Sequence, residues 1–550
     1  VDMTGSWEWT GIGFGTFGQS CAVMPSVGRD AGPGVRAPPA CGMPRSTRPA
    51  RRDCLKTSFR HDWRLEERMP RVIEADYDQV HLLPPTLEEW VGADHPARFV
   101  RDFVRSLEVG ALGFREPALG NEGRPAYSVE LMLRVWLYGY LEKVRSVRGL
   151  ERACRERMGF VWLCGNRAPD HNSLWRFWNA NRAALRALFK RTVKVALELD
   201  LIGLVVQALD GTRIQAHCSG RGRHDRAALG KALGRLDELL AEREAALERG
   251  EGVAGARGTE RYDGFSAEQL RGALARVEAG EARHVHPGEP EARRMKCDGR
   301  NRFGYNAQAV VDGAGQLIVA AEVVAEATDA AQLGPMMALA EETLRGAGAG
   351  QATPTTLADG GYASGGNFAR AQAEGREVLA PMPSASKNSG GDPFHASRFE
   401  HDAGRDVVRC PGGRELPFRR LRKRRGATVR EYRSAAVCAG CPLRPHCTAD
   451  RHGRSIEIAP WQDALRRHRD KMGRAENAAL YRRRPGIIEP VFGWIKAAMG
   501  FRRWTVRGLE RVRTQWAMLC TVLNLRAIYR EWVARLKRAA NSGNAAIIPA

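Results

Sequence analysis

Three carboxylates carry the chemistry that this sequence offers. Asp210 closes an apolar run, Leu201-Ile-Gly-Leu-Val-Val-Gln-Ala-Leu209, and Asp359 closes Thr353-Pro-Thr-Thr-Leu-Ala358; a glycine follows each acid. Glycine leaves room for a metal or a phosphate to approach the backbone. The third acid, Glu489, opens a helical stretch in Arg484-Pro-Gly-Ile-Ile-Glu489-Pro-Val-Phe-Gly-Trp-Ile-Lys496. Three carboxylates gathered by a fold repel one another unless cations lie between them, and Mg²⁺ (or Mn²⁺) takes such oxygen ligands. Two ions about 4 Å apart would clamp the attacking and leaving oxygens of a phosphodiester in an in-line displacement. Lys496 follows Glu489 at helical spacing, on the same face, and Arg503 continues that face if the helix runs on. Such cations would hold a phosphate backbone beside the metals. Taken singly, each acid reads equally as a turn aspartate or a helix cap. Spacing alone cannot bring them together.

A second set of side chains has metal-ligand spacing. Cys438-Ala-Gly-Cys441-Pro-Leu-Arg-Pro-His-Cys447 forms a knuckle, with Cys410 upstream. Four thiolates in a polar, Arg-rich stretch suit a structural Zn²⁺ bound tetrahedrally at about 2.3 Å per bond. His446 and His452 are alternative ligands, and buried free thiols are the plainer reading. Four thiolates would close the zinc shell, which argues against a zinc hydrolase.

The elements that must position these groups read as follows. Residues 85–200 are helical: Thr86 and Glu89 have capping-box spacing, Ser128 and Ser146 precede two amphipathic helices, and Asp170 precedes a long helix from Leu174 to about Leu199. After Leu201 the period becomes that of strands, with the first strand delivering Asp210 at its end. Strand patterns return at Tyr305–Asp312 and Gln316–Val324 around a Gly313-Ala314-Gly315 turn, and a short strand ends at Asp359. The expected fold is α/β, a mixed sheet flanked by helices. It is interrupted by a helical hairpin at 225–289 and by a basic, cysteine-bearing insertion at 391–474. The remaining boundaries are a helical domain at 69–200, sheet segments at 201–224 and 290–390, a helical end at 475–540 and a tail at 541–550. Residues 1–68, rich in Gly, Pro, Arg and Ser and beginning at Val1, are expected to be a disordered extension or an over-extended start before Met69.

Charge narrows the partner. The 550 residues carry a net charge of +23. Residues 401–550 hold 33 basic and 12 acidic side chains, a surplus of 21, so the excess lies almost wholly in the last part of the chain. A localised basic surplus points to nucleic acid, with strong salt dependence. No apolar run approaches the roughly 18 residues of a membrane span, and none forms a signal segment.

Four stretches together resemble the DDE transposases of bacterial insertion sequences, an integrase-like superfamily with an RNase H-like catalytic fold; within it the similarity is to insertion-sequence group eleven-eighty-two. They are Leu209-Asp210-Gly-Thr-Arg-Ile-Gln-Ala-His-Cys-Ser219, Leu357-Ala-Asp359-Gly-Gly-Tyr362, Arg484 to Lys496 with Arg503 and Arg507-Gly508, and the N-terminal Pro125-Ala-Tyr127, Tyr138-Gly-Tyr140, Ser146-Val-Arg148 and Pro169–Ser173. The blocks occur in order over roughly residues 70–535, and the cysteine knuckle recurs in the group. The resemblance implies metal-dependent cleavage at element ends and transfer of the 3′-hydroxyl into target DNA. Asp210, Asp359 and Glu489 would hold two Mg²⁺ or Mn²⁺ ions. Arg484, Lys496, Arg503 and Arg507 would contact DNA. The helical domain would recognise terminal inverted repeats, two copies would pair the two ends, and the setting would be the bacterial cytoplasm at the nucleoid. Tyr481 stands one residue further from Glu489 than the usual signature. Trp494 and Trp504 read as core packing before base stacking. A nuclease that cuts without joining, or an inactive DNA-binding derivative, is the alternative.

Overall fold

The computed structural model describes residues 86–117, 125–219, 224–250, 261–351, 353–382, 392–424 and 427–541. The extension expected at 1–68 lies outside the described residues. The helical region starts with a 3-10 turn at Leu87–Trp90. It continues as α1 (Pro96–Arg105), α2 (Val129–Leu141), α3 (Val147–Glu156), α4 (Met158–Leu163), α5 (His171–Ala180) and α6 (Arg182–Glu198). Ser128, Ser146 and Asp170 accept backbone N–H groups of the first turns of α2, α3 and α5, satisfying donors that the helix itself cannot. Thr86 instead turns its hydroxyl to the Glu89 carboxylate, 2.9 Å away. The long helix expected from Leu174 is broken at Asn181. That side chain donates to the Phe177 carbonyl at 3.0 Å and accepts from the Arg115 amide at 2.8 Å, and these bonds fix a non-helical turn between α5 and α6.

The sheet begins with β1 (Val206–Gln215). There follow α7 (Arg226–Glu248), α8 (Ala267–Glu278), β2 (Arg293–Cys297), β3 (Arg300–Asp312), β4 (Ile318–Val324), α9 (Leu333–Ala347), β5 (Thr355–Ala358), α10 (Gly365–Ala373) and β6 (Val378–Leu379). Its order is β2-β3-β1-β5-β6, with β4 also paired to β3. β3 runs antiparallel to β1, β2 and β4, whereas β1, β5 and β6 are mutually parallel. The fold is thus a mixed α/β sheet, and β2 is a strand that periodicity did not announce. α7 and α8 pack on each other around Leu229, Leu236, Leu270 and Ala273.

A second sheet occupies the cysteine-bearing segment, where no strand was expected. β7 (Glu400–Asp402), β8 (Val407–Arg409), β9 (Glu415–Arg424) and β10 (Ala427–Tyr432) lead through α11 (Ala435–Ala439) and α12 (Arg444–Cys447) to β11 (Ile456–Ile458). All five strands are antiparallel neighbours in chain order. Then come α13 (Gln462–Met472), α14 (Ala475–Tyr481), α15 (Arg484–Gly493), a π turn at Trp494–Ala498 and α16 (Leu509–Asn541). One apolar core runs through the N-terminal helices, the first sheet, α15 and α16. Among the described residues no helix is long and apolar enough to cross a membrane.

Candidate active site

Asp210 does not end its strand. β1 runs on to Gln215, and the Asp-Gly pair that resembles a turn lies mid-strand, Asp210 opposite Ala309 and Gly211 opposite Gln308. Side chains are a poor guide here because ladder hydrogen bonds are made by backbone groups. Asp359 follows the last residue of β5 as expected. The parallel register sets Leu209 beside Ala358, so Asp210 within β1 and Asp359 just past β5 lie side by side, on strands about 4.8 Å apart. Each carboxylate is oriented by the backbone that follows it. Asp210 Oδ1 accepts from the Gly211 amide at 2.8 Å, and Asp359 Oδ1 from the Gly361 amide at 2.7 Å.

α15 brings Arg484 onto this pair. The residue is only 9% exposed, and its guanidinium lies 2.7 Å from Asp210 Oδ2. Burial pushes the Asp210 carboxyl up to about 6; Arg484 and the Gly211 amide hold it down, while Asp359 and Asp329 add to the rise. Tyr481, at the end of α14, is half-buried within electrostatic reach of Arg484, Asp359 and Asp210, and burial raises its phenol. Its neighbourhood is a structural reason to keep it in the site despite its irregular spacing.

Glu489 is not part of the cluster. It lies five residues beyond Arg484, roughly 140° around the helix, and is exposed, whereas Arg484, Ile487, Ile488 and Val491 form the buried face. Lys496 falls within the π turn, where Met499 N bonds Trp494 O across five residues. The wider turn shifts the register expected for a continuous α-helix. Lys496 Nζ faces Asp298 Oδ1 at 3.4 Å, beside Arg502 at 3.3 Å from Oδ2. Arg503 does not continue the face of Glu489 either. The helix stops before Gly500, which takes φ +61°, and Arg503 then bridges Gln215 of β1 in extended form. Arg503 donates to the carbonyls of Ala216 and Cys218, and Arg507 to that of His217. Both clamp the segment leaving β1. Trp504 is fully buried against Phe501 and Trp516, the packing role expected of it.

Cys410, Cys438, Cys441 and Cys447 line one cavity of about 30 Å³, together with Leu443 and Arg454; His446 and His452 do not line it. Burial raises the Cys447 thiol, and the other three thiols add to the rise. Among the described residues, however, no three His, Cys, Asp or Glu side chains are arranged to hold a metal ion. The expected structural zinc therefore has no support here. The same holds for the acidic trio. Asp210 and Asp359 offer the hard oxygen donors that Mg²⁺ takes, but Glu489 does not complete a metal-holding group with them and Arg484 occupies one oxygen of Asp210.

Sequence reading missed a polar bracket beneath the acids. Asp329, in the loop between β4 and α9, accepts from Asn306 at 2.6 Å, Gln308 at 2.9 Å and Arg213 at 3.1 Å. The Tyr362 hydroxyl donates to Gln308 Oε1. One signal was available: Asn306 and Gln308 recur at alternate positions of the otherwise apolar stretch Phe303–Val311, which sets two amides on one buried face.

Two family models match the chain. Residues 409–529 match the Transposase DDE domain, and residues 85–180 match a Transposase domain (DUF772). These matches support a DDE-type transposase. The first takes in α15 with Arg484 and Glu489, the second the helices through α5. Asp210 and Asp359 lie between the two; the strand register joins them to each other, and the Arg484–Asp210 ion pair joins them to the matched α15. No curated protein matches the chain.

Proposed function

We propose that the chain is a DNA transposase of the DDE type, with an RNase H-like catalytic sheet, akin to insertion-sequence group eleven-eighty-two. It cleaves at the ends of its element and joins the freed 3′-hydroxyl to target DNA. The observation that carries this reading is the meeting of Asp210 and Asp359 on adjacent parallel strands with Arg484 from α15 against them. Divalent cations would be held by Asp210 and Asp359, with Glu489 as the third ligand, and when bound they supply charge neutralisation at the phosphate. Engaging Glu489 requires α15 to rotate or shift from the arrangement described. That movement would withdraw Arg484 from Asp210 and free its planar fork for a DNA phosphate, the bidentate contact that guanidinium makes well. Terminal inverted repeats as the recognised DNA, and pairing of two copies across two ends, belong to the same proposal.

The test is a strand-transfer assay with oligonucleotides ending in the element's repeats, in Mg²⁺. The parent is expected to cleave and join. Glu489→Gln should lose at least about a hundredfold in rate, the scale on which a misplaced reacting group is felt. Its thermal stability should be unchanged, because the side chain replaced is exposed and has no partner among the described residues. Cleavage without joined product would favour a nuclease, and a fully active Glu489→Gln enzyme would remove the triad from the mechanism.

A further inference from the structure

We infer that Asp329 is a positioning residue for both strand aspartates. The inference rests on the function proposed above. Asp210 and Gly211 point to opposite faces of β1, as consecutive strand residues must. Asp210 faces Arg484. On the other face a methyl group at Gly211 would lie 2.7 Å from Asp329 Oδ1 and 2.9 Å from Asn306 Oδ1. At Gly361, two residues after Asp359, a methyl group would lie 3.3 Å from Asp329 Oδ2 and 3.0 Å from Asp359 Oδ1. One carboxylate therefore sits directly against the two glycine backbones that carry, through their amides, the orienting hydrogen bonds to Asp210 and Asp359.

Asp329 is already engaged by three donors. Oδ1 takes both amide donors of β3 and Oδ2 takes Arg213 of β1, while the carboxylate remains mostly buried. Gln308 then passes the connection on: its amide donates to Asp329 and its carbonyl accepts from Tyr362, which is fully buried in the turn after Asp359. The bracket spans β1, β3, the loop after β4 and the turn after β5. Small displacements in such a support move the two acids relative to each other, and a shift near 1 Å is enough to cost about a hundredfold in rate.

The experiment compares the full chain with Asp329→Asn, which sets one amide against two amide donors and weakens the tie to Arg213. Two readouts are taken. Amide hydrogen exchange, without metal or DNA, should quicken by at least about tenfold in segments 206–215 and 355–365 and stay unchanged in α5 and α6, since local opening reports local support. Cleavage of end oligonucleotides should fall about a hundredfold in kcat while KM stays within about twofold. Adding Gln308→Glu to Asp329→Asn restores a carboxylate facing an amide and should recover part of both. If Asp329→Asn does not fold, Asn306→Ala removes only one donor and is read in the same way. Unchanged exchange in both segments, or loss of protection throughout the chain, overturns the proposal, as does a KM that rises in step with the fall in kcat. A parent chain that does not cleave counts against the proposed function, while the exchange readout still decides the role of Asp329.

Discussion

Glu289 sits where the α7–α8 hairpin rejoins the first sheet. It is 1% exposed, and neither carboxylate oxygen has a hydrogen bond of good geometry. Burial pushes it up to about 6 from an ordinary 4.5; the Tyr305 hydroxyl, the Gly508 amide and Arg507 pull the other way. The linkage follows in sign. Between these values the folded chain binds more protons than the unfolded one, so the contribution of this group is full below about pH 4.5 and is lost as pH rises through 6. Glu289→Gln supplies a neutral side chain of the same shape. It should stabilise the protein at pH 7 by about 2 kcal/mol and make no difference at pH 4. Urea unfolding at the two pH values reads this directly, and equal stabilisation at both would remove the buried charge as its cause.

Elements differ in how plainly they can be read. Helices capped by Ser128, Ser146 and Asp170 were legible because a cap and an apolar period say the same thing at neighbouring positions. β1 was legible in its apolar half only. Its continuation, Asp210-Gly-Thr-Arg-Ile214, has turn chemistry in isolation, and pairing with β3 overrides it. The second sheet was hidden by its own composition. Glu415–Arg424 looks like a solvated charge run, yet Arg420 and Arg422 reach Glu431 on the neighbouring β10, and Arg422 and Arg424 reach over β10 to Glu457 on β11. Cross-strand pairs of that kind substitute for the apolar alternation that identifies a strand. The candidate site was half legible for a related reason: both aspartates stood out, whereas the buried face of α15 could not be told from the exposed one, nor could Asp329 be found in a loop. Arg503 makes the distinction testable at this scale. It was read as a DNA contact, and in the structure two of its five donors go to the carbonyls of Ala216 and Cys218. Arg503→Ala should cost roughly 1 to 2 kcal/mol in urea unfolding and leave the salt dependence of DNA binding unchanged. A shallower salt dependence with intact stability would return Arg503 to the DNA.

At the scale of the molecule, α16 and the basic surplus set different limits. α16 ties the helical region to the sheet. Asn524 donates to Ile318 of β4 and to Thr192 of α6, while Tyr529 and Trp532 pack on Phe99 of α1. The helical end of one matched segment and the helices of the other thus share one core, while the second sheet keeps its own. The net charge, in contrast, already subtracts the carboxylates, so the surplus of 21 after residue 400 is cationic charge that the acids of that stretch do not match, although many of those arginines are also oriented by carboxylate or carbonyl partners. β9 is where an open cationic surface persists. Arg419 and Lys423 are exposed and have no ion pair among the described residues, and Leu421 between them is 58% exposed, so that face is uncovered. Each phosphate neutralised releases counterions and steepens log K against log salt by about 0.9 for duplex DNA. The double substitution Arg419→Ala with Lys423→Ala should therefore flatten that slope by about 1.8 and leave the stability of the chain within about 0.5 kcal/mol of the parent. Titrating a labelled end duplex across a range of salt concentrations gives the slope. An unchanged slope would place the DNA path away from β9.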